Sequence, residues 1–408
     1  MSKTKKQNKK QKKPSKTKQK PSKTKKQNKK QNKLKLKKRT IKRKQRDIIL
    51  PTKTPQNIHN ISEKISQKID SGSYSPTINN DLITLKSIPR KELLDCNIDA
   101  AYNLKEPLKI GIPGKLYGKY CHYYYTPEAK KFLLKNLSAN KHLAINKIVP
   151  PIQSKGNCWF NAMFVTFFVS DKGRKFFHFL RQLMIEGKQK DGSEISDKLR
   201  DAFALLNFAV DASLTGNEYA YKLNTNSVIE LIYKAIPESY KKQIPYIFNV
   251  DDAGNPILYY FSIMNYLNNN SIELLFIRNT NSKWKETLTE SISKMTHLPH
   301  IIVLEIFEIN ATEFSNKPVT FKVNNAKYQI DSAVIRDISK QHFCATITCE
   351  GAQMAYDGMS FDRLVPLEWK NKLNSNVDWQ FEGTLDYDNT PLEWNFTKSY
   401  QMLIYYRV

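Results

Sequence analysis

Hydrophobic positions along this chain keep two different periods, and the change falls near residue 270. Between residues 126 and 267 they recur at helical spacing. Thr126-Pro127-Glu128 reads as a helix start, with proline at the first helical position and an acid in the first turn, and that helix runs to about residue 137. The run over 158–169 is apolar nearly all round, the pattern of a helix buried on every side. Ser170-Asp171-Lys172-Gly173 interrupts it, and helical character resumes over 174–185. Further helices are predicted over 197–210, 226–235 and 258–267. Beyond them come short β-branched and aromatic runs broken by turn residues, at 272–277, 301–309, 319–323, 327–336, 343–348 and 353–356. Helices first and an antiparallel sheet second is an α+β order.

No such pattern exists before residue 91. Residues 1–46 are Lys, Gln, Asn, Ser and Thr with almost nothing to bury, and Ser2–Gln11 recurs at 22–31. A segment of this kind cannot offset its chain entropy, so 1–46 is expected to be a disordered tail. Residues 47–90, with Pro51, Pro55, Pro76 and Pro89, read as a linker holding one short helix over 58–69. The globular domain spans 91–408.

The formal charge of +28 changes meaning once it is located. The first 50 residues hold 24 Lys and Arg against one acid, Asp47, so +23 of the excess sits there and the other 358 residues carry +5. The tail suits a solubilising arm, nuclear import or contact with a polyanion; without aromatics among its lysines, nucleic-acid binding would be phosphate-driven, non-specific and salt-sensitive. Five cysteines, an odd number at irregular spacing, argue against a disulfide framework and for a reducing compartment. No run approaches the length of a membrane span, and the N-terminus has no apolar run behind its charges. An intracellular protein, in the cytoplasm or nucleus, is the expectation.

The chemistry concentrates at Cys158. Gly156 and Asn157 favour a tight turn just before it, and the buried helix begins with it. A helix N-terminus and a nearby imidazole both favour the thiolate a nucleophile needs. Gln153, five residues upstream, is placed to add a side-chain amide to the Cys158 N–H as an oxyanion hole. A lone cysteine is more commonly an inert buried thiol. The partner that tips the balance is His342, which lies between two predicted strands. A hairpin over 343–356 would bring Asp357 back beside it, to fix the imidazole tautomer.

Those residues resemble the papain-like cysteine proteases, and most closely the ubiquitin-specific proteases (deubiquitinases). The family's cysteine box has an amide residue, Gly-Asn, then Cys-aromatic-x-Asn; here it is Gln153, Gly156-Asn157 and Cys158-Trp159-Phe160-Asn161. Its histidine box is matched by Tyr328, Ala333-Val334, Gln341-His342-Phe343 and Met354-Ala355-Tyr356-Asp357. The resemblance implies Cys158 as nucleophile, His342 as base and acid, Asp357 as the orienting acid and Gln153 as oxyanion donor. It also implies a helical subdomain packed on an antiparallel sheet, and a protein substrate bearing a ubiquitin-like modifier. Three departures stand out. The box is one residue shorter between Gly156-Asn157 and the cysteine, Gln341 replaces a glycine and so narrows or gates the cleft, and no paired Cys-x-x-Cys motifs exist.

Hydrolysis through a thioester needs no metal or organic cofactor, and Cys344 and Cys349 have no second ligand pair at zinc spacing. Cys121-His122 reads as a strand-like piece, His178 as a satisfied core histidine, and Trp379 and Trp394 as part of an acidic surface or partner site. The Lys-, Asn- and Ile-rich composition is similar to that of large DNA viruses, which would place the protein in a virion. Two rivals remain: a transglutaminase-like acyl transferase, and an inactive protease relic with a structural or nucleic-acid-binding role.

Overall fold

The computed structural model describes residues 91–114, 118–138, 143–189, 191–314, 316–360 and 363–408. The tail, the linker and the helix expected over 58–69 lie outside them. The described residues begin with helix α1 (Ile98–Tyr102) and a hairpin of β1 (Lys109–Pro113) and β2 (Lys119–Tyr123). Helices follow: α2 (Pro127–Ser138), α3 (Cys158–Phe168), α4 (Asp171–Phe176), α5 (His178–Glu186), α6 (Asp197–Thr215), α7 (Thr225–Ala235), α8 (Glu238–Gln243) and α9 (Pro256–Tyr266). The sheet half holds β3 (Leu274–Ile277), α10 (Trp284–Ser293), β4 (Ile301–Ile306), α11 (Glu308–Ala311), β5 (Thr320–Val323) and β6 (Ala326–Arg336). It closes with β7 (Phe343–Cys349), β8 (Ala352–Tyr356), β9 (Val365–Pro366) and β10 (Gln401–Arg407).

The strands from β3 onward form one sheet in the order β3-β4-β10-β6-β7-β8-β9, with β5 also on β6, separate from the β1–β2 hairpin. Every pair is antiparallel except β3 with β4. The helical half packs on one face of this sheet, so the fold is α+β.

Helix α3 is the axle between the halves. All eleven of its residues are buried, as its all-round apolar pattern requires. It packs on β7 and β6 on one side and on α9 and α7 on the other. Each of its buried phenylalanines contributes roughly 1.5–3 kcal/mol of transfer free energy. The interruption expected at 170–173 is shorter and earlier. Ser170 caps α4 by accepting from the Gly173 N–H at 3.1 Å, so the chain turns at 169–170 and 171–173 are already helical. A second break at Phe177 divides the run expected over 174–185.

Two other expectations are corrected, and one central strand went unpredicted. Cys96 and Cys121 form a disulfide, because β1 pairs with β2 while Leu94 bridges to Gly111, the partner of Cys121. A count and spacing of cysteines cannot show that juxtaposition. Trp379 and Trp394 are buried and stacked 5.3 Å apart, forming with Phe381 and Phe396 a second core under the far face of the sheet. The acids around them lie on its rim. Finally, β10 occupies the middle of the sheet, between β4 and β6. Among the described residues no helix is long and apolar enough to cross a membrane.

The β7–β8 turn is held from the helical half. Glu350 and Gly351 both have positive φ (45° and 71°), the two-residue turn that matches strand twist. Their N–H groups donate to the two oxygens of Asp171 at 2.7 and 2.9 Å. Arg174 reaches Asp171 at 3.0 Å and Glu350 at 2.7 Å, and Glu350 also accepts from the Leu143 N–H. Helix α4, directly after α3, thereby fixes the hairpin whose other end carries His342 and Asp357.

Candidate active site

Cys158 is the first residue of α3, preceded by Asn157 at φ −102° and ψ 15°. First-turn N–H groups of a helix have no intrahelical acceptor and face whatever lies ahead of it. Asn157 makes no capping bond with its side chain; the Asn157 Nδ2 instead donates to the Thr225 Oγ1 at 2.9 Å. The thiol donates to the main-chain oxygen of Gln341, 3.9 Å away, and only 8% of the residue is exposed.

His342 closes the loop between β6 and β7, and Asp357 follows the last residue of β8. Since Ala345 pairs with Tyr356, antiparallel register places the two on adjoining strands at the same end of the sheet. The His342 Nε2 lies 2.6 Å from the Asp357 Oδ1, with 5% of the histidine and 1% of the aspartate exposed. Asp357 also accepts from the Met359 N–H at 3.2 Å and from the Ser360 hydroxyl. Burial by itself would depress the His342 pKa. Hydrogen bonds to Asp357 and Cys158, with their negative charge, outweigh it and hold the imidazole up to about 10.

The loop presenting His342 is organised by Asp337. Its Oδ1 accepts from the Ser339 and Lys340 N–H groups at 2.7 and 2.6 Å, and its N–H donates to the His342 carbonyl at 2.8 Å. Gln341 turns its side chain to Arg336 at 3.0 Å, while Lys340 pairs with Asp386 and Asp388. Trp394 lies with its ring 6.1 Å from the imidazole.

Gln153 sits on the same rim. Its N–H donates to the Gly358 carbonyl at 2.9 Å, one residue beyond Asp357. Glycine is required at 358, because a Cβ there would stand 2.8 Å from the Tyr356 hydroxyl and 3.0 Å from the Gln153 nitrogen. The Gln153 Oε1 is buried without a hydrogen-bond partner, as are the Asn157 Oδ1 and the Asn161 Nδ2.

The structure therefore joins His342 to Asp357, sets Cys158 against the Gln341 carbonyl next to His342, and ties the Gln153 main chain to Gly358 next to Asp357. Sequence reasoning missed part of the support around them: Thr225, Asp337 and Ser360. Only Asp337 had a readable signal, an Asp-x-Ser turn directly after a strand. Of the other candidates, Cys344 and Cys349 are buried, and burial pushes both thiols well above their usual range. His178 is half-buried at the start of α5, and burial with Arg181 lowers its pKa to about 3.

No family model matches the chain, and no curated protein matches it in sequence. Among solved structures, the chain is similar to one titled as the SAGA deubiquitinase module of Ubp8, Sgf11, Sus1 and Sgf73 bound to monoubiquitin. The identity is 8%, over 86% of this chain and 96% of that one, with a TM-score of 0.39. A second structure of that module gives 10% identity over the same shares, with a TM-score of 0.38. A structure described as an essential yeast splicing factor gives 9% identity, covering 76% of this chain and 88% of that one, with a TM-score of 0.35.

Proposed function

We propose that this protein is a cysteine-dependent protease or isopeptidase that releases a ubiquitin-like modifier from a protein substrate. The observation that carries the reading is the buried His342–Asp357 pair, 2.6 Å apart, beside a cysteine that opens a buried helix. The likeness of its cysteine and histidine boxes to those of ubiquitin-specific proteases supports the substrate class.

In the reaction, the Cys158 proton passes to His342, the sulfur attacks the carbonyl carbon of the amide, and an S–C bond forms as the carbonyl electrons move to oxygen. The Cys158 N–H and the Gln153 amide hold that oxyanion. His342 gives its proton to the leaving nitrogen, the C–N bond breaks, and a thioester remains. Water then attacks the thioester while His342 takes its proton, the S–C bond breaks, and the acid is released. Asp357 keeps the imidazole oriented and stabilises its charged form throughout. Residues 1–46, with their concentrated positive charge, serve as a salt-sensitive polyanion contact.

The test is labelling of the full chain with ubiquitin bearing a C-terminal electrophile, beside Cys158→Ala and His342→Ala. A covalent adduct lost in Cys158→Ala and slowed in His342→Ala is expected. If no adduct forms but iodoacetamide still prefers Cys158, the substrate class is wrong and the thiol hydrolase stands. Equal reaction at every cysteine would remove the catalytic reading altogether.

A further inference from the structure

The polar groups around the first turn of α3 are unusual for a helix buried on all sides. Asn157 and Asn161 are each 1% exposed, lie one turn apart and face helix α7. Between them stands Thr225, the first residue of α7 and 2% exposed. Its hydroxyl accepts from the Asn157 Nδ2 at 2.9 Å and donates to the Asn161 Oδ1 at 2.8 Å. A hydroxyl has one proton to give and lone pairs to receive with, so this one group serves both amides in a fixed direction. The chain of bonds ends in two atoms left open, the Asn157 Oδ1 and the Asn161 Nδ2.

Its position gives the bond its consequence. Asn157 is joined to Cys158 by the peptide whose N–H is the proposed oxyanion donor. Asn157 lacks the side-chain bond to the helix's own N–H groups that normally fixes such a residue. The cysteine box is also one residue short there, so the turn has less of its own structure to hold it. Helix α7 belongs to the body of the helical half, where Val228, Ile229 and Ile232 are buried, and it is a firm point to anchor to.

We propose that Thr225 is a positioning residue that sets the plane of the Asn157–Cys158 peptide, and with it the aim of the oxyanion donor. The proposal rests on the thiol-hydrolase reading. It separates two properties of Cys158: the thiolate, which depends on His342 and the helix end, and stabilisation of the tetrahedral oxyanion, which depends on peptide orientation. Thr225 governs the second.

The experiment uses the full-length chain and p-nitrophenyl acetate, an activated ester that needs no recognition of a particular protein. Cys158 sulfur attacks the acetyl carbon, the S–C bond forms, the C–O bond breaks and p-nitrophenolate leaves, giving a burst equal to the enzyme present. Alkylation by iodoacetamide, which forms no oxyanion, is measured in parallel. Thr225→Val is expected to slow the burst about tenfold or more, since small displacements of a catalytic donor are costly. Alkylation of Cys158 should stay within about twofold, and Thr225→Ser, which keeps the hydroxyl, should restore the burst. Thr225→Ala is the second test should the valine fail to fold; it too lacks the hydroxyl and should behave as Val. An unchanged burst in the folded Val or Ala variant overturns the proposal. So does an equal fall in burst and alkylation, or a Ser variant no better than Val, because packing would then explain the effect. If the wild type gives no burst that Cys158→Ala removes, the thiol-hydrolase reading fails, and Thr225's role with it.

Discussion

At its turn, the β7–β8 hairpin meets helix α4 through Asp171, Arg174 and Glu350; at its open end it meets helix α3 through His342, Asp357 and Cys158. Both ends bury acid–base groups between a helix and the same two strands. At the turn, both Asp171 oxygens accept main-chain N–H groups, the Glu350 carboxylate takes a third, and Arg174 bridges the two acids and donates to the Val169 carbonyl. Around the open end, the Gln153 Oε1, Asn157 Oδ1 and Asn161 Nδ2 are buried with nothing to bond. A buried polar group without a partner costs free energy, so a fold keeps one where something else compensates. The turn bonds its buried groups to one another, whereas the open end keeps buried polar atoms unpaired.

That contrast can be broken from either side. The largest effect on rate is expected from Asp357→Asn, which keeps the shape of the open end but favours the wrong imidazole tautomer. Burst rates with p-nitrophenyl acetate should fall about a thousandfold or more in the folded protein, and the melting temperature should drop too, because the carboxylate that holds the His342 proton is gone. At the turn, Arg174→Leu removes the guanidinium that bridges the buried Asp171 and Glu350 carboxylates. It should cost about 3–5 kcal/mol in a denaturant titration, and any loss of activity should follow loss of fold.

Acidity distinguishes the ends next. The His342 pKa is raised from 6.5 to about 10, so the folded chain holds a proton there that the unfolded chain releases. The stability gained is complete below about pH 6.5 and lost as pH rises towards about 10. The melting-temperature gap between wild type and His342→Gln should therefore narrow steadily across that interval. The smallest effect belongs to the loop over the thiol. Lys340→Ala, which removes the exposed pairing with Asp386 and Asp388, should speed iodoacetamide alkylation of Cys158 by no more than about fivefold, and less in high salt.

The two ends were not equally readable in the sequence. The open end was legible because its chemistry is carried by residue types with few other reasons to recur at that spacing. Cys158 began an apolar run, His342 preceded a strand, and Asp357 ended the next one. The turn end was not, because Asp171, Arg174 and Glu350 look like ordinary surface charges until two segments 180 residues apart are brought together. The same limit explains Thr225, whose role depends on α7 lying beside α3. Helix α10 was overlooked among its polar residues, although Trp284, Leu288 and Ile292 sit at four-residue intervals and are its buried positions. Strand β10 has an apolar run over 401–406, but its partners β4 and β6 lie far back in the chain, so no adjoining strand pattern marks it.

That strand has a consequence for how the chain is made. β10 leaves the ribosome after every other strand, yet it alone joins β4 to β6. Until it emerges, the β3–β4 pair and the β5–β9 group each present an open apolar edge, the kind of surface that recruits neighbouring nascent chains. The groups that form the site are already present by then, but the sheet beneath them is still in two pieces. Synthesis thus has a vulnerable interval, closed only when residues 401–407 slot between strands that have been waiting for them.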